Sequence, residues 1–161
     1  MLTESPAARV ETFTLPHTNN QVIREFNAVA RAQDLTPLSF RVDGRISSIP
    51  VVKGQRVKKG TLLAALAKQD YQIVLNDRRA RMEVASKQAQ RTKQLVDKEL
   101  IAQSEYDQIN AQYLVSSAEA KQAQLYLDYT ELRAPFDGVV SDVLVESFEN
   151  MQPGSEIVTM H

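Results

Sequence analysis

The sequence predicts an α+β fold in which one β-sandwich is encoded in two separate pieces, with an α-helical hairpin inserted between them. Two observations predict this fold. The helix-breaking residues are confined to the flanks, since all five glycines and six prolines lie outside residues 61–134. The two flanks also repeat each other without gaps at a constant offset of 94 residues, which indicates an internal structural repeat.

The middle of the chain favours helices because Gly and Pro, which are missing there, cost about 1 and 3 kcal/mol in a helix interior. Apolar or small side chains recur in this stretch with a heptad period, in two groups of different phase. The first group is Leu75, Met82, Ala89 and Val96, and the second is Ile109, Tyr113, Ser116, Ala120, Ala123, Leu127 and Thr130. Because the phase breaks between them, we predict an antiparallel coiled-coil hairpin with helices at about 70–98 and 104–130.

The predicted turn of this hairpin lies near residues 100–104. Ser104, with Asp107 three residues later, is expected to cap the N-terminus of the second helix. The contact between the helices is predicted to be weak, because small or polar side chains occupy many inward positions and Arg78 falls on the first stripe. A hairpin of this kind needs neighbours along its length.

The β-rich flanks carry the repeat residue by residue. Asp43-Gly44 aligns with Asp137-Gly138. Apolar character or Gly is kept at the other matched positions: Ile46/Val140, Ile49/Val143, Val51/Val145, Val57/Met151, Gly60/Gly154, Leu63/Ile157 and Leu66/Met160. We therefore predict two half-motifs, residues 35–68 and 132–161, each with the pattern of about four short strands, which close one sandwich around residues 69–131.

The repeat has one mismatch that affects a turn. Gly54 aligns with Phe148, so the second half needs another residue with a positive φ angle at this place. We expect Asn150 to adopt the left-handed conformation there, because Asn tolerates it better than most residues.

Four segments of the chain match the pattern of one protein family. Residues 38–46 and 52–64 carry the first half-motif, Asp70-Tyr71 opens the hairpin, and residues 127–138 lead back through Ala-Pro-Phe-Asp-Gly into the second half-motif. Together they resemble the periplasmic adaptor subunits, or membrane fusion proteins, of tripartite efflux pumps, in the HlyD-like group that serves RND transporters. The resemblance spans roughly residues 35–160 and implies a lipoyl-like (barrel-sandwich hybrid) β-sandwich.

The resemblance also implies a function. Such an adaptor links an inner-membrane RND transporter to a TolC-like outer-membrane channel for the efflux of drugs or other small molecules, and it self-associates into a ring. It works in the periplasm, and the full-length protein is associated with the inner membrane.

By the same resemblance, residues 1–34 are N-terminal strands of an incomplete β-barrel or membrane-proximal part, and the chain is a truncated fragment. We expect the residues up to about 33 to be disordered or to pair with a neighbour's strand. The chain as it stands has no apolar run of about 18 residues and is expected to be soluble.

The tip of the hairpin is the implied channel-binding site. In the family it carries an Arg, a Leu four residues later and a Ser seven residues after that. Arg91 and Leu95 match the first two positions, while Ala102 stands at the third. The implied binding set is Arg91, Leu95, Leu100, Ala102 and Ser104. Without the resemblance, Arg91 would be a solvated helix charge and Leu95 a residue of the helix–helix seam.

The composition argues against several other functions. Lys and Arg number 19 against 20 for Asp and Glu, a formal net charge of -1, so nucleic acid is not an expected partner. The sequence has no Cys, and its two histidines are His17 and His161. We therefore expect no metal, no cofactor and no enzymatic activity. Two alternatives stay open: a biotinyl/lipoyl-type carrier domain modified on Lys68, and a structural coiled-coil spacer that forms no ring.

Overall fold

The structure, a computed structural model, describes residues 35–161. They form strands and helices in the following chain order: β1 (Thr36–Ser39), β2 (Gly44–Ser48), β3 (Arg56–Val57), β4 (Leu62–Leu66), α1 (Gln69–Asp97), α2 (Gln103–Asp128), β5 (Glu131–Arg133), β6 (Gly138–Val143), β7 (Asn150–Met151) and β8 (Glu156–Met160). Both helices begin and end within two residues of their predicted bounds. The barrel strands expected in residues 1–34 lie outside the described residues.

The strands form two four-stranded antiparallel sheets. Their orders are β1-β8-β6-β3 and β5-β4-β2-β7. Each sheet takes its two inner strands from one half of the sequence and its two edge strands from the other half. Because each half borrows edge strands from the other, the described halves must fold together to satisfy their backbone hydrogen bonds.

The offset of 94 residues found in the sequence also relates the strands. It places the first residues of β2, β3 and β4 on the first residues of β6, β7 and β8. It also relates the hydrogen bonds that join the halves. The Gly60 amide donates to the Ala134 carbonyl at 2.8 Å, and the equivalent Gly154 amide donates to the Phe40 carbonyl at 3.0 Å. The sequence repeat is therefore a repeat of backbone geometry.

The mismatched turn is made by a different residue from the one expected. Gly54 has a φ angle of 82°, and its counterpart Phe148 has a φ angle of 71°. Asn150 lies in β7, so the expectation of a left-handed Asn150 is wrong. The reason is that the turn is fixed by hydrogen bonds across the sheet. The Phe148 amide donates to the Ile46 carbonyl at 3.0 Å, as the Gly54 amide does to the Val140 carbonyl at 2.8 Å.

The core lies between the sheets and draws on both halves. Its most deeply buried large side chains are Ile46, Leu63, Leu66, Val140, Ile157, Val158 and Met160. Burying a side chain of this size contributes about 1.5–3 kcal/mol each. Tyr71 and Tyr129, at the end of the helices nearest the sandwich, are half-buried against this core.

The two helices, called the helical pair below, lie between β4 and β5 in the chain and pack side by side. A short connection joins them, and Arg78 and Arg79 of α1 contact Glu119 and Gln124 of α2, so the helices run in opposite directions. Neither helix of the described region has a stretch both long and apolar enough to cross a lipid bilayer.

Candidate partner-binding surfaces

The seam between the helices is made of small side chains. Its buried residues are Leu75, Ala89 and Thr92 of α1 and Ser116, Ala120 and Ala123 of α2. The two hydroxyls bond within their own helices, since Thr92 Oγ1 donates to the Gln88 carbonyl at 2.9 Å and Ser116 Oγ to the Gln112 carbonyl at 3.1 Å. Such bonds satisfy the hydroxyls without joining the helices. The seam therefore permits close approach but buries little apolar surface.

Polar contacts across the seam fix the register of the two helices. Arg78 Nη1 donates to Glu119 Oε2 at 2.9 Å, and Arg79 Nη2 donates to Gln124 Oε1 at 2.7 Å. The Arg78–Glu119 pair explains why an arginine can occupy the first apolar stripe. Both side chains are more than a third exposed, so the pair contributes at most about 1 kcal/mol.

The far end of the helical pair holds the five residues of the expected binding tip. Arg91 is exposed, and its Nη2 donates to Gln88 Oε1 at 2.8 Å. Leu95 is 41% exposed and Leu100 66% exposed. The Leu100 amide donates to the Leu95 carbonyl at 2.9 Å, which brings the two leucines into one turn. Two large apolar side chains are thus presented to solvent within a single turn of the chain.

The cap of the second helix differs from the expected one. α2 begins at Gln103, after Ala102 in an extended conformation, and no side chain caps it. Ser104 is therefore the second residue of the helix and not its N-cap, so that expectation is wrong. Asp107 accepts a hydrogen bond from Gln103 Nε2 at 2.8 Å. Glu99, with a φ angle of 58°, takes the left-handed conformation that often ends a helix, directly after the C-cap Lys98 of α1.

Each helix also carries an exposed apolar stripe outside the seam. On α2 the stripe is Ala111, Leu114, Ala118 and Leu125, all exposed, with Leu114 59% exposed. On α1 it is Ile73, Ala80 and Val84, also exposed, with Val84 68% exposed. The spacings of three, four and seven residues keep each stripe on one helix face. A helix with apolar stripes on two sides is typical of packing between two neighbours.

The helices differ in charge. α1 carries six basic and four acidic side chains, whereas α2 carries one basic and four acidic side chains. The formal net charge is therefore positive on α1 and negative on α2.

The expected carrier lysine does not lie in a turn between strands. Lys68 stands at the N-cap position of α1, whereas a carrier lysine needs an exposed tight turn between strands. Within residues 35–161, no group of three or more His, Cys, Asp or Glu side chains is arranged to hold a metal ion.

The contacts of Tyr71 and Tyr129 with the sandwich were not predicted from the sequence. Their position in the first and last turns of the predicted hairpin, next to the β-rich flanks, is the sequence feature that could have indicated these contacts.

Known proteins share this architecture. The family model described as "CzcB-like, barrel-sandwich hybrid domain" matches residues 34–160. The chain is 34% identical over 98 residues to the antibiotic efflux pump periplasmic linker protein ArpA of Pseudomonas putida. This match covers 61% of the chain and 26% of ArpA, so the chain spans about a quarter of the length of that relative.

Two solved structures are similar over most of the chain. A putative efflux transporter from Bacteroides eggerthii has a TM-score of 0.76 at 30% identity, covering 88% of this chain and 48% of that one. A MacA-MexA chimeric protein that contains the Pseudomonas aeruginosa MexA alpha-hairpin domain has a TM-score of 0.74 at 31% identity, covering 80% of this chain and 48% of that one.

Proposed function

Because the chain belongs to the family of proteins with a CzcB-like barrel-sandwich hybrid domain, we propose that it is the adaptor part of an efflux pump. It links an inner-membrane RND transporter to a TolC-like outer-membrane channel in the periplasm, for the export of drugs or other small molecules. Its role is mechanical and not enzymatic. The observation that carries this proposal is the helical pair inserted into the sandwich, as in the chimera with the MexA alpha-hairpin.

The domain division is part of the proposal. Residues 35–68 and 132–161 are the two lipoyl half-motifs, and residues 69–131 are a coiled-coil hairpin. The placement of β1 to β4 and β5 to β8 on either side of the helices supports this division. Residues 1–34 belong to a barrel or membrane-proximal part of a longer protein.

The far end of the helical pair binds the outer-membrane channel through Arg91, Leu95, Leu100, Ala102 and Ser104. Leu95 and Leu100 supply exposed apolar surface for notches between the channel's helices. Arg91 supplies a planar fork that can bond carbonyl or carboxylate oxygens. Ala102 and Ser104 are small, exposed residues that allow a close approach at the start of α2.

Photocrosslinking in cells tests this binding. A photoreactive amino acid at Leu100, in the complete protein, is expected to crosslink to the channel. The matched control carries it at Asn76, an exposed residue of α1 near the sandwich, and is expected to give no channel crosslink. Equal channel crosslinking from both positions would contradict the docking proposal, as would its absence from both.

Copies of the adaptor form a ring in which α1 of one copy packs against α2 of the next. The exposed apolar stripes and the opposite charges of the helices support this heterologous contact. Because Arg78 pairs with Glu119, Val84 and Leu114 lie at a similar height on the pair. A Val84→Cys, Leu114→Cys variant of this cysteine-free chain should give oxidised oligomers larger than dimers. Each single-cysteine variant should give no oxidised species larger than a dimer. A structural coiled-coil spacer that forms no ring would give no series of oxidised oligomers from the double variant.

The carrier alternative receives no support from the position of Lys68 at the start of a long helix. A carrier protein would gain the mass of biotin or lipoate on this lysine. We expect the intact mass of the chain, isolated from cells that make both cofactors, to equal the mass of its sequence.

A further inference from the structure

The helical pair is covalently joined to the sandwich by two short links, one before α1 and one after α2. Both links lie beside residues 41–43, which belong to the segment that connects β1 to β2. The Tyr71 hydroxyl, in the first turn of α1, donates to the Asp43 carbonyl at 2.9 Å and lies 3.4 Å from Asp43 Oδ1. Tyr129, directly after α2, has the Arg41 guanidinium 5.1 Å from its ring centroid. Arg41 Nη1 also donates to the Tyr129 hydroxyl at 3.4 Å.

The Asp43 carboxylate departs from the internal repeat. In the second half, the counterpart Asp137 accepts a hydrogen bond from the Lys59 amide at 2.6 Å. The counterpart of Lys59 is Pro153, which has no amide hydrogen to donate. Asp43 therefore lacks the bond that its counterpart makes within the sandwich.

Arg41 also departs from the repeat. Its counterpart is Pro135, a residue that cannot make a cation–π contact. The halves thus differ at positions where the first half contacts the helical pair. The backbone hydrogen bonds that join the halves, at Gly60 and Gly154 and at Gly54 and Phe148, are kept despite these differences.

We propose that residues 41–43 fix the direction in which the helical pair leaves the sandwich, with Tyr71 and Tyr129 as positioning residues, one on each helix. A contact on each helix opposes rotation of the pair about either link. The 29 residues of α1 span about 40 Å, so a rotation of about 10° at the base would move the far end by roughly 7 Å.

The hydrogen bond from Tyr71 persists over the physiological pH range. Burial is the main cause that raises the pKa of Tyr71 above its usual value, and the nearby Asp43 and Asp70 carboxylates add to it. The hydroxyl therefore stays protonated and remains a donor. The contacts themselves do not depend on the proposed function, whereas their benefit for docking on a channel rests on it.

Distance measurements on this cysteine-free chain test the proposal. Spin labels on Gln94→Cys, at the far end of α1, and on Gln152→Cys, in the sandwich, report the direction of the pair by pulsed electron resonance. Both positions are exposed. The labelled chain that keeps Tyr71 and Arg41 should give a narrow distribution of the distance between the two labels. In Tyr71→Phe, the loss of one hydrogen bond should raise the population of other orientations about fivefold, and Tyr71→Phe with Arg41→Ala should broaden the distribution further.

Controls separate positioning from general destabilisation. Tyr126→Phe removes a hydroxyl that bonds to Gln122 within α2 and should leave the distribution unchanged. Arg41→Lys in place of Arg41→Ala should restore part of the narrow population, since it keeps the cation. If the Arg41→Ala variant unfolds, Tyr71→Phe, which loses a single oxygen, decides the question. A distribution for Tyr71→Phe that superposes on that of the parent chain would overturn the proposal, whether or not the chain binds a channel.

Discussion

Phe148 holds a backbone conformation that its side chain disfavours. Its φ angle is 71°, and the residue is 70% exposed, so core packing does not compensate the strain. The equivalent residue, Gly54, has nearly the same conformation without that cost. A left-handed conformation costs a residue with a Cβ about 1–2 kcal/mol.

Replacing Phe148 by Gly should therefore stabilise the sandwich. Relief of the backbone strain should raise the free energy of unfolding. The rise should be only about 0.5–1 kcal/mol, because Gly also makes the unfolded chain more flexible, which offsets part of the gain. Urea unfolding followed by circular dichroism measures this. Phe148→Ala removes the same exposed ring but keeps a Cβ, so it should give no stabilisation. An equal gain in both variants would show that the ring and not the backbone is the cause.

Ionisation of Tyr71 should lower the free energy of unfolding at alkaline pH. Its pKa is raised, chiefly by burial and further by Asp43, so the folded state favours the neutral hydroxyl. The stability that Tyr71 contributes is complete below the usual tyrosine pKa of about 10 and is lost as the pH rises through the raised value. Unfolding free energies measured up to and above that pH should fall less steeply in Tyr71→Phe. Tyr126→Phe keeps Tyr71 and should keep the steeper fall.

The seam of the helical pair depends on small side chains. Ala120 is 5% exposed, and a larger side chain there would push the helices apart. Ala120→Leu should lower the free energy of unfolding of the pair by about 1–3 kcal/mol, as overpacking usually does. The thermal loss of helical circular dichroism measures the effect. Ala118→Leu, two residues away on the exposed stripe, makes the same chemical change and should shift stability by no more than about 0.5 kcal/mol. A similar loss in both variants would contradict the seam as described.

The helices and the repeated strands were predictable because periodicity alone fixes which residues share a face. Leu75 and Ala89 lie two heptads apart and are both buried on the seam face of α1, and the repeat offset placed Leu63 and Ile157 in one core. The turns were not predictable in the same way. Phe148, not Asn150, takes the left-handed conformation because its amide reaches the Ile46 carbonyl on another strand.

The ends of the helical pair show the same limit. α2 begins at Gln103, after an extended Ala102, and therefore one residue before the expected cap Ser104. The local sequence does not fix a helix boundary to one residue. The Tyr71–Asp43 contact joins residues 28 positions apart and becomes visible only when the sandwich is assembled. The tip residues were found through a family resemblance, since an exposed Arg91 alone is an ordinary feature of a helix surface.

The sandwich as a whole should fold without its helical pair. Its buried core cluster contains side chains from the strands and their connections, and the helices add half-buried tyrosines at its margin. β4 and β5 are antiparallel neighbours, and the Leu66 amide donates to the Thr130 carbonyl at 2.8 Å. Replacing residues 67–129 by Asn-Gly should therefore close β4 and β5 as an ordinary hairpin.

This shortened chain should lose its helical circular dichroism and keep a cooperative thermal transition and dispersed amide resonances. Residues 35–68 alone should be unfolded, because their strands supply edges to one sheet and the centre of the other. Mixing that piece with residues 129–161 should restore folded signals at high concentration, since the two pieces complete both sheets and the common core. If the shortened chain shows no cooperative transition, the prediction is wrong, because the two halves of the sandwich would then need the helical pair in order to fold together.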